Sequence, residues 1–149
     1  MSTTTKIFLG VVFLMLGCVI YLLFRSKTLN IYQWCLSLGL SNKVDYARAF
    51  VHDWNMPDLI IFSLPDGLYC TAYILIMDAI WQDNNNLIKH FIISLVPAIT
   101  IISEVLQYLG VVKGTYDFFD LLLYAVPIIA YYTYKYYSFK FNKLKIKRL

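Results

Sequence analysis

In Thr100-Ile101-Ile102-Ser103-Glu104-Val105-Leu106-Gln107, four polar side chains interrupt an apolar segment that is long enough to cross a bilayer. Their spacing of three, four and seven residues puts all four on one helical face. An ionisable side chain at membrane depth costs about 2.5 to 3.5 kcal/mol to insert, so it normally faces other helices or a water-filled cavity. We therefore expect Glu104 to point into a helical bundle.

The composition indicates an integral membrane protein. Hydrophobic residues make up 60% of the chain and charged residues only 15%, and the apolar residues are gathered into long runs. A length of 149 residues favours one membrane domain, residues 1–149, with no separate soluble module. The three cysteines, Cys18, Cys35 and Cys70, lack the pairing of a metal site, and we expect them to be buried thiols.

Four apolar segments predict an all-α, polytopic bundle of four transmembrane helices. We expect these spans at residues 7–24, 64–81, 87–109 and 118–137. The first is interpreted as a retained anchor and not as a cleaved signal peptide, because the residues after Cys18 stay apolar through Phe24. Pro97, near the middle of the third span, predicts a kink.

The second predicted span begins with a capping sequence and carries a polar face of its own. Ser63 and Asp66 can satisfy free backbone donors on either side of Pro65, although a start nearer Leu59 is an alternative. The residues that share one face of this helix are Gly67, Thr71, Asp78 and Gln82. Asp78 is either hydrated near the far interface or part of a functional site.

Residues 25–57 form the longest connection and predict an interfacial segment between the first and second spans. Residues 29–40 are apolar and aromatic but too short to cross a bilayer, so we expect them to lie in the interface or to fold back onto the bundle. Residues 42–55 mix charged and aromatic side chains in the pattern of an amphipathic surface helix.

A basic tail, residues 138–149, follows the fourth predicted span. Residues 135–149 carry six of the thirteen Lys and Arg residues, and a basic cluster beside a span belongs on the cytoplasmic side. Both termini are then cytoplasmic, with eight Lys and Arg residues inside and five outside. Such a tail can also bind membrane lipids, whereas nucleic acid is a poor partner so close to the bilayer.

Alternating helix directions bring the start of the second span, the end of the third and the start of the fourth to one membrane face. The residues that can converge there are Asp66, Glu104, Gln107, Asp117 and Asp120. With both termini inside, this face is external, or periplasmic in a two-membrane cell. Four carboxylates near one another cannot all stay ionised cheaply, so they need a cation, a basic partner or bound protons.

Two interpretations of these residues remain open. In one, capping carboxylates and a hydrogen bond between Glu104 and Gln107 lock the helix ends together. In the other, an acidic pocket binds a divalent cation with Glu104, Asp117 and Asp120 as candidate ligands, a lipid-linked phosphate held through that cation, or a cationic headgroup. The sequence identifies no cofactor. It also lacks a nucleophile-base pair, a zinc helix, a Walker loop and a Cys-x-x-Cys motif, so an enzyme is the less favoured class.

This arrangement resembles the hallmark of VanZ-like membrane proteins. Ser103-Glu104-Val105-Leu106-Gln107 supplies a Glu-x-x-Gln at the end of one helix, and Lys113 lies in a short basic turn. Asp117-Phe118-Phe119-Asp120 then supplies the Asp-x-x-Asp that opens the next helix. The resemblance extends over residues 57–131. The chain departs from the family at Tyr124 and Pro127, where Asn and Gly are usual, and at residues 66–70, which replace an Asp-Lys followed by His.

The resemblance implies a small polytopic protein in the bacterial cytoplasmic (inner) membrane, acting in the cell envelope. One founding member is linked to glycopeptide (teicoplanin) resistance, and the family brings no settled enzymatic mechanism. We expect the chain to bind a lipid or glycan-precursor headgroup in an outward-facing acidic pocket centred on Glu104 and Asp120. The alternatives are a non-enzymatic subunit or scaffold of a larger membrane complex and, third, an intramembrane transferase or hydrolase. A catalyst requires an open pocket around Glu104, whereas a scaffold fills that space with helix contacts.

Overall fold

The computed structural model describes residues 1–84 and 86–146, and within them every regular element is a helix. The six α-helices are α1 (Thr3–Phe24), α2 (Asn30–Ser37), α3 (Ser41–Val51), α4 (Leu64–Ile80), α5 (Leu87–Tyr108) and α6 (Phe118–Ile146). A π-helical turn, Leu59–Ser63, leads into α4 without a break. The all-α prediction is therefore confirmed for the described part of the chain.

Three helical segments are long and apolar enough to cross a membrane. They are Thr3–Phe24, Leu59–Ile80 and Leu87–Tyr108, and they match the first three predicted spans to within a few residues. Helix α6 begins at the predicted residue but continues to Ile146, so it takes in most of the predicted basic tail. Six tyrosines between residues 118 and 137 make α6 less apolar than the other long helices. Residues 147–149 of the tail lie outside the described residues.

Helices α1 and α4 run antiparallel and form the most extensive helix pair in the fold. Gly10 lies against Ile76 and Gly17 against Tyr69. A Cβ atom built on either glycine would stand 2.7 Å from Ile76 Cγ1 and 2.8 Å from Tyr69 Cε1, respectively. The glycines are seven residues apart and so occupy the same helical face. Small residues at an interface allow the close approach that drives helix association within a bilayer.

Helix α6 runs parallel to α4 and antiparallel to α5. Leu123 of α6 contacts Gly67 near the start of α4, and the Tyr131 hydroxyl reaches Asp78 near its end. The buried apolar residues between these helices are Cys70, Ile74, Ile93 and Tyr131. The long helices therefore alternate in direction, as the sequence predicts for a polytopic bundle.

The predicted cap at Ser63 and Asp66 is wrong. Among the described residues no side chain caps the start of α4, because the π-helical turn extends the helix back to Leu59. Pro65 has no N–H to donate, and its ring would clash with the carbonyl four residues earlier in a regular α-helix, so the widened turn accommodates it. The alternative start at Leu59 is confirmed, and the Asp66 carboxylate bonds to another helix.

Helices α2 and α3 correspond to the two segments predicted between the first and second spans. Arg48 Nη1 of α3 donates to the carbonyl oxygen of Leu22 at 2.7 Å and so ties α3 to the end of α1. Lys27 Nζ lies 2.7 Å from Asp45 Oδ1, and the Tyr32 hydroxyl donates to the same carboxylate. The hydrogen bond from Lys27 lowers the pKa of Asp45 from its ordinary value, and the bond to Asp45 raises the pKa of Lys27.

Candidate acidic site and the opposing charge network

The predicted acidic residues gather at one end of the bundle. Asp66 lies in the first turn of α4, Glu104 near the end of α5, and Asp117 directly before α6. The charges of Asp66, Asp117 and Asp120 all act on Glu104, so these four carboxylates form one electrostatic group. They are termed the acidic cluster below.

Glu104 is buried, as the polar stripe of residues 100–107 predicts, with 6% of its surface exposed. Its Oε2 atom accepts a hydrogen bond from the backbone N–H of Asp117 at 3.3 Å. The predicted partner, Gln107, packs against Gly114 in the following turn, so the predicted bond between Glu104 and Gln107 is wrong. Glu104 therefore joins the end of α5 to the start of α6.

Asp117 caps α6 as predicted. Its Oδ1 atom accepts a hydrogen bond from the backbone N–H of Phe119 at 2.8 Å. A carboxylate in this position satisfies a free donor of the first turn and interacts favourably with the positive end of the helix dipole. Glu104 and Asp117 thus fit the interpretation in which polar residues lock helix ends together.

Asp66 bonds across the bundle to α1, where the Tyr21 hydroxyl donates to its Oδ1 atom at 2.9 Å. The Arg25 guanidinium stands 4.9 Å from the ring centroids of both Tyr21 and Phe62, a cation–π arrangement. Its charge also acts on Asp66. Sequence reasoning did not include Tyr21 or Arg25 in the site. The available signal was that Arg25 directly follows the first span at the face where the acidic residues converge.

Asp120 differs from the rest of the acidic cluster. Its Oδ1 atom is buried and has no hydrogen-bond partner among the described residues. The carboxylate also acts electrostatically on Asp66 and Glu104, which carry the same sign of charge. A buried acceptor without a donor is costly and rare, and it commonly marks the place of a water, an ion or a ligand. The Oδ1 atom of Asp120 can therefore accept a hydrogen bond from a water or a ligand.

A groove of about 560 Å³ opens beside the acidic cluster. It is lined by Asp58, Leu59, Phe62, Ser63, Tyr116, Asp117, Phe118 and Phe119. Asp117 thus forms part of the wall of the groove, whereas Glu104 and Asp120 do not line it. Within the described ranges, no group of three or more His, Cys, Asp and Glu side chains is arranged to hold a metal ion. The feature of this end of the bundle that bears on ligand binding is therefore the negative charge of the acidic cluster.

The opposite end of the bundle holds a second set of charges, centred on Asp78. Asp78 is only 4% exposed, so the alternative in which it is hydrated is wrong, although it does lie near the end of its helix. Lys6 Nζ lies 2.7 Å from its Oδ2 atom, and Lys89 Nζ and Lys135 Nζ lie 3.0 and 3.1 Å from Oδ1. The Tyr131 hydroxyl donates to Oδ1 at 2.8 Å. These five residues, termed the Asp78 network, bring together α1, α4, α5 and α6.

The three cysteines are free thiols. Cys70 is buried and its Sγ lies 3.8 Å from the carbonyl oxygen of Tyr124, which confirms the predicted buried thiol at this position. Cys18 is half-buried, and its Sγ accepts from the Tyr69 hydroxyl at 3.7 Å. Cys35 is also half-buried. Cys18 and Cys70 therefore serve as weak hydrogen-bonding groups between helices.

Comparison with known proteins finds no matching family model, no matching curated protein and no matching solved structure. The class of the protein therefore rests on its own fold. In the part of the chain that the structure describes, an all-helical architecture with three helices long and apolar enough to span a bilayer is compatible with a helical membrane protein.

Proposed function

We propose that the chain crosses the membrane four times, with α6 as the fourth span. Leu123 meets Gly67 near one end of α4, and Tyr131 meets Asp78 near the other, so α6 extends over the same depth as α4. Its 29 residues, at about 1.5 Å each, exceed the roughly 30 Å thickness of a hydrocarbon core. The tyrosine hydroxyls lower the hydropathy of α6, but two of them bond to other helices, Tyr131 to Asp78 of α4 and Tyr132 to Ser94 of α5.

The orientation that this proposal favours has the Asp78 network on the cytoplasmic side of a bacterial inner membrane. Its three lysines, together with the lysines of the tail, give that end the basic excess expected inside the cell. Helices α2 and α3 then lie in the interface of the outer leaflet. The exposed aromatic side chains of α2, α3 and the connection that follows them suit that position, and they are Trp34, Tyr46, Phe50 and Trp54.

Cysteine labelling tests this topology. In a chain whose three native cysteines are replaced by alanine, we expect Lys113→Cys to react with a membrane-impermeant maleimide added to intact cells. Lys145→Cys should react only after the cells are opened. Equal reaction of both variants from outside would contradict the four-span arrangement, since it would place the start and the end of α6 on the same side of the membrane.

For the function, we infer that the acidic end binds the headgroup of a lipid or of a glycan precursor, as part of a VanZ-like membrane protein of the cell envelope. The observation that carries this proposal is the buried, unpartnered Oδ1 atom of Asp120 beside Asp66 and Glu104. A primary ammonium, or a sugar hydroxyl, can donate to such an acceptor. The adjacent groove, whose wall includes Asp117 but not Asp120, supplies space for a headgroup beside the acidic cluster.

The balance of charge supports the same proposal. The acidic cluster has four carboxylates. The positive charge that acts on Asp66 is that of Arg25, which directly follows α1. Two like charges about 4 Å apart repel by about 1 kcal/mol in water and by more where the dielectric is lower. A bound cationic group would relieve this repulsion, and it would raise the stability of the folded chain through mass action.

The test compares lipids that differ in their ability to donate a hydrogen bond. We expect phosphatidylethanolamine, added to the purified protein in detergent, to raise the melting temperature by about 3 °C relative to phosphatidylcholine. Phosphatidylcholine is the matched lipid because its quaternary ammonium has no N–H. Asp120→Asn should abolish the difference between the two lipids. Asp53→Asn, which removes a carboxylate that is 99% exposed at the same end, should keep it.

Equal melting temperatures in the two lipids would show that the acidic cluster does not bind the ammonium group of a headgroup. Binding of a divalent cation is tested separately, by adding millimolar magnesium or calcium to the purified protein. A shift with either ion that disappears in Asp120→Asn would mean that a cation bridges the acidic cluster and a phosphate. If no lipid or ion shifts the melting temperature of the native chain, headgroup binding at this end is refuted.

The second candidate is a non-enzymatic subunit whose polar residues serve only to fix the helices. It is favoured by the bonds of Glu104 and Asp117, which both satisfy backbone donors at the start of α6. Comparing Glu104→Gln with Glu104→Ala separates the two candidates, because glutamine keeps an oxygen that can accept from the Asp117 N–H and alanine does not. A structural role predicts that Glu104→Ala fails to accumulate in the membrane and that Glu104→Gln behaves as the native chain, whereas a binding role predicts that Glu104→Gln accumulates normally and loses its ligand response. An intramembrane transferase or hydrolase ranks third, because the groove offers Ser63 without a histidine.

A further inference from the structure

The Asp78 network carries more positive charge than its single carboxylate can neutralise. Lys6, Lys89 and Lys135 all lie within about 3 Å of Asp78, which leaves an excess of two positive charges. Asp78 Oδ1 accepts from Lys89, Lys135 and Tyr131, so this oxygen is already crowded with donors. The side chain of Lys135 remains 37% exposed, whereas that of Lys89 is 3% exposed and also donates to the Trp81 carbonyl. An anion could therefore reach Lys135 directly, whereas Lys6, whose side chain is 11% exposed, is reached only from the cavity that it lines.

A cavity of about 370 Å³ adjoins this network. Lys6, Asp78 and Tyr131 line its charged end, and the remainder of its wall is mostly apolar, including Ile74, Leu75, Val126, Pro127 and Ala130. The apolar residues lie earlier in α4 and α6 than Asp78 and Tyr131, so the cavity extends from the end of the bundle toward its middle. Its volume lies in the range of about 300 to 1,000 Å³ that ligand pockets occupy.

Both features lie at the ends of the long helices, which is the depth of the lipid headgroups in the four-span topology proposed above. Lys6 is in the first turn of α1, Lys89 is in the first turn of α5, and Asp78 is in the last turn of α4. A basic patch between helices at this depth, continued by an apolar groove, matches an anionic amphiphile in both charge and polarity. A soluble anion would use the lysines alone and would leave the apolar groove without an occupant.

We propose that the cavity between α1, α4 and α6 binds one anionic phospholipid, whose acyl chain lies along Leu75, Val126 and Ala130. Its phosphate lies at the charged end of the cavity, between Lys6, which lines the cavity, and Lys135, which does not line it but pairs with Asp78 beside that end. This site is at the opposite end of the bundle from the acidic cluster and does not depend on the function proposed for it. The phosphodiester of the lipid would neutralise one of the two positive charges that Asp78 leaves uncompensated, and the acyl chain would fill the space between α4 and α6.

The experiment uses the full chain purified in detergent, with phosphatidylglycerol as the probe and phosphatidylcholine as the zwitterionic reference. We expect phosphatidylglycerol at saturating concentration to raise the melting temperature by about 5 °C over phosphatidylcholine. Lys135→Gln should weaken the affinity for phosphatidylglycerol about fivefold, which corresponds to the loss of about 1 kcal/mol for one lysine near a phosphate. Because Lys6 and Lys89 still pair with Asp78 in this variant, its fold should be retained.

Three control variants distinguish binding in this cavity from binding elsewhere on the chain. Lys140→Gln removes an exposed lysine from the same end of α6 and should leave the affinity unchanged. Ala130→Phe blocks the apolar part of the cavity without changing its charge and should reduce the affinity. Asp120→Asn, at the opposite end, should keep the full response to phosphatidylglycerol whether or not the acidic cluster binds a headgroup.

The proposal would be overturned by any of four results. Equal stabilisation by the two lipids would show that the negative charge is not recognised. Loss of the response in Lys140→Gln equal to that in Lys135→Gln would indicate general attraction to a basic surface. An unchanged response in Ala130→Phe would exclude the acyl chain from the cavity. Finally, the same stabilisation by inorganic phosphate alone would identify a site for a free anion.

Discussion

Replacing Asp78 with asparagine should lower the free energy of unfolding by about 3 to 5 kcal/mol, the largest effect expected of any single substitution in this chain. The reason is that Lys6 and Lys89 are both buried and would lose the carboxylate that neutralises them. Lys89 would keep its bond to the Trp81 carbonyl, but two buried ammonium groups would then face each other without a counter-charge. The measurement is thermal unfolding of the purified protein in detergent, together with the amount of protein that accumulates in membranes.

Asp83→Asn is the matched control, because Asp83 is an exposed carboxylate just beyond the end of α4. It should unfold at the temperature of the native chain. Adding Lys6→Met to Asp78→Asn should restore part of the lost stability, since Lys6 would no longer be buried as an unpaired charge. If Asp78→Asn is as stable as Asp83→Asn, the network does not hold the helices together and the burial of its lysines has another cause.

Enlarging the glycines of α1 should produce the second largest effect. Gly10→Leu would bring a Cβ atom within 2.7 Å of Ile76 Cγ1 and 3.2 Å of the Ala72 carbonyl oxygen, so movement of the Ile76 side chain alone cannot relieve the clash. Overpacking of this kind costs about 1 to 3 kcal/mol, which exceeds the gain of about 1 kcal/mol in helix propensity on replacing glycine. Gly17→Leu should have a similar effect through Tyr69. Thermal unfolding in detergent gives the comparison.

Val11→Leu provides the control for both glycine variants. Val11 is adjacent to Gly10 but 45% exposed, so a larger side chain meets no helix there. We expect this variant to unfold within about 1 °C of the native chain, because surface substitutions rarely change stability by more than about 0.5 kcal/mol. Unfolding of Gly10→Leu at the native temperature would show that α1 can move away from α4 without loss, and that the close approach of the two helices is not a source of stability.

Helix positions and buried helix faces could be predicted because each depends on the residue pattern within a single helix. The polar spacing in residues 100–107 identified the buried face of α5, on which Ile93, Pro97 and Glu104 lie, and helix alternation identified the end at which the carboxylates meet. The start of α4 was predicted less well. A proline within a helix can mark either a first turn or a widened turn, and the sequence around Pro65 does not distinguish them.

The sequence did not predict the hydrogen-bond and ion-pair partners of individual side chains. Spacing along α4 puts Asp78 on a defined face, but it does not determine which residues of α1, α5 and α6 meet it. That choice depends on helix rotation and on the close contact that Gly10 and Gly17 allow. The same limit applies to Glu104, whose bond comes from the backbone of Asp117 and not from Gln107 one turn away. Every residue except proline has a backbone N–H, so the sequence does not indicate which of them donates to Glu104.

The connections made by Asp78 also bear on the order in which the protein is assembled during synthesis. In the four-span topology proposed above, Lys6 would be inserted with α1, before the carboxylate on α4 has been made, and its charge would resist transfer across the bilayer. Arrival of α4 supplies the counter-charge, α5 then adds Lys89, and α6 adds Tyr131 and Lys135. Each later helix can therefore form a charged contact with a helix that has already been inserted: α4 with Lys6 of α1, and α5 and α6 with Asp78 of α4. A nascent chain arrested before residue 131 would lack Tyr131 and Lys135, the last two donors to Asp78, and its bundle should therefore be less stable than that of the full chain.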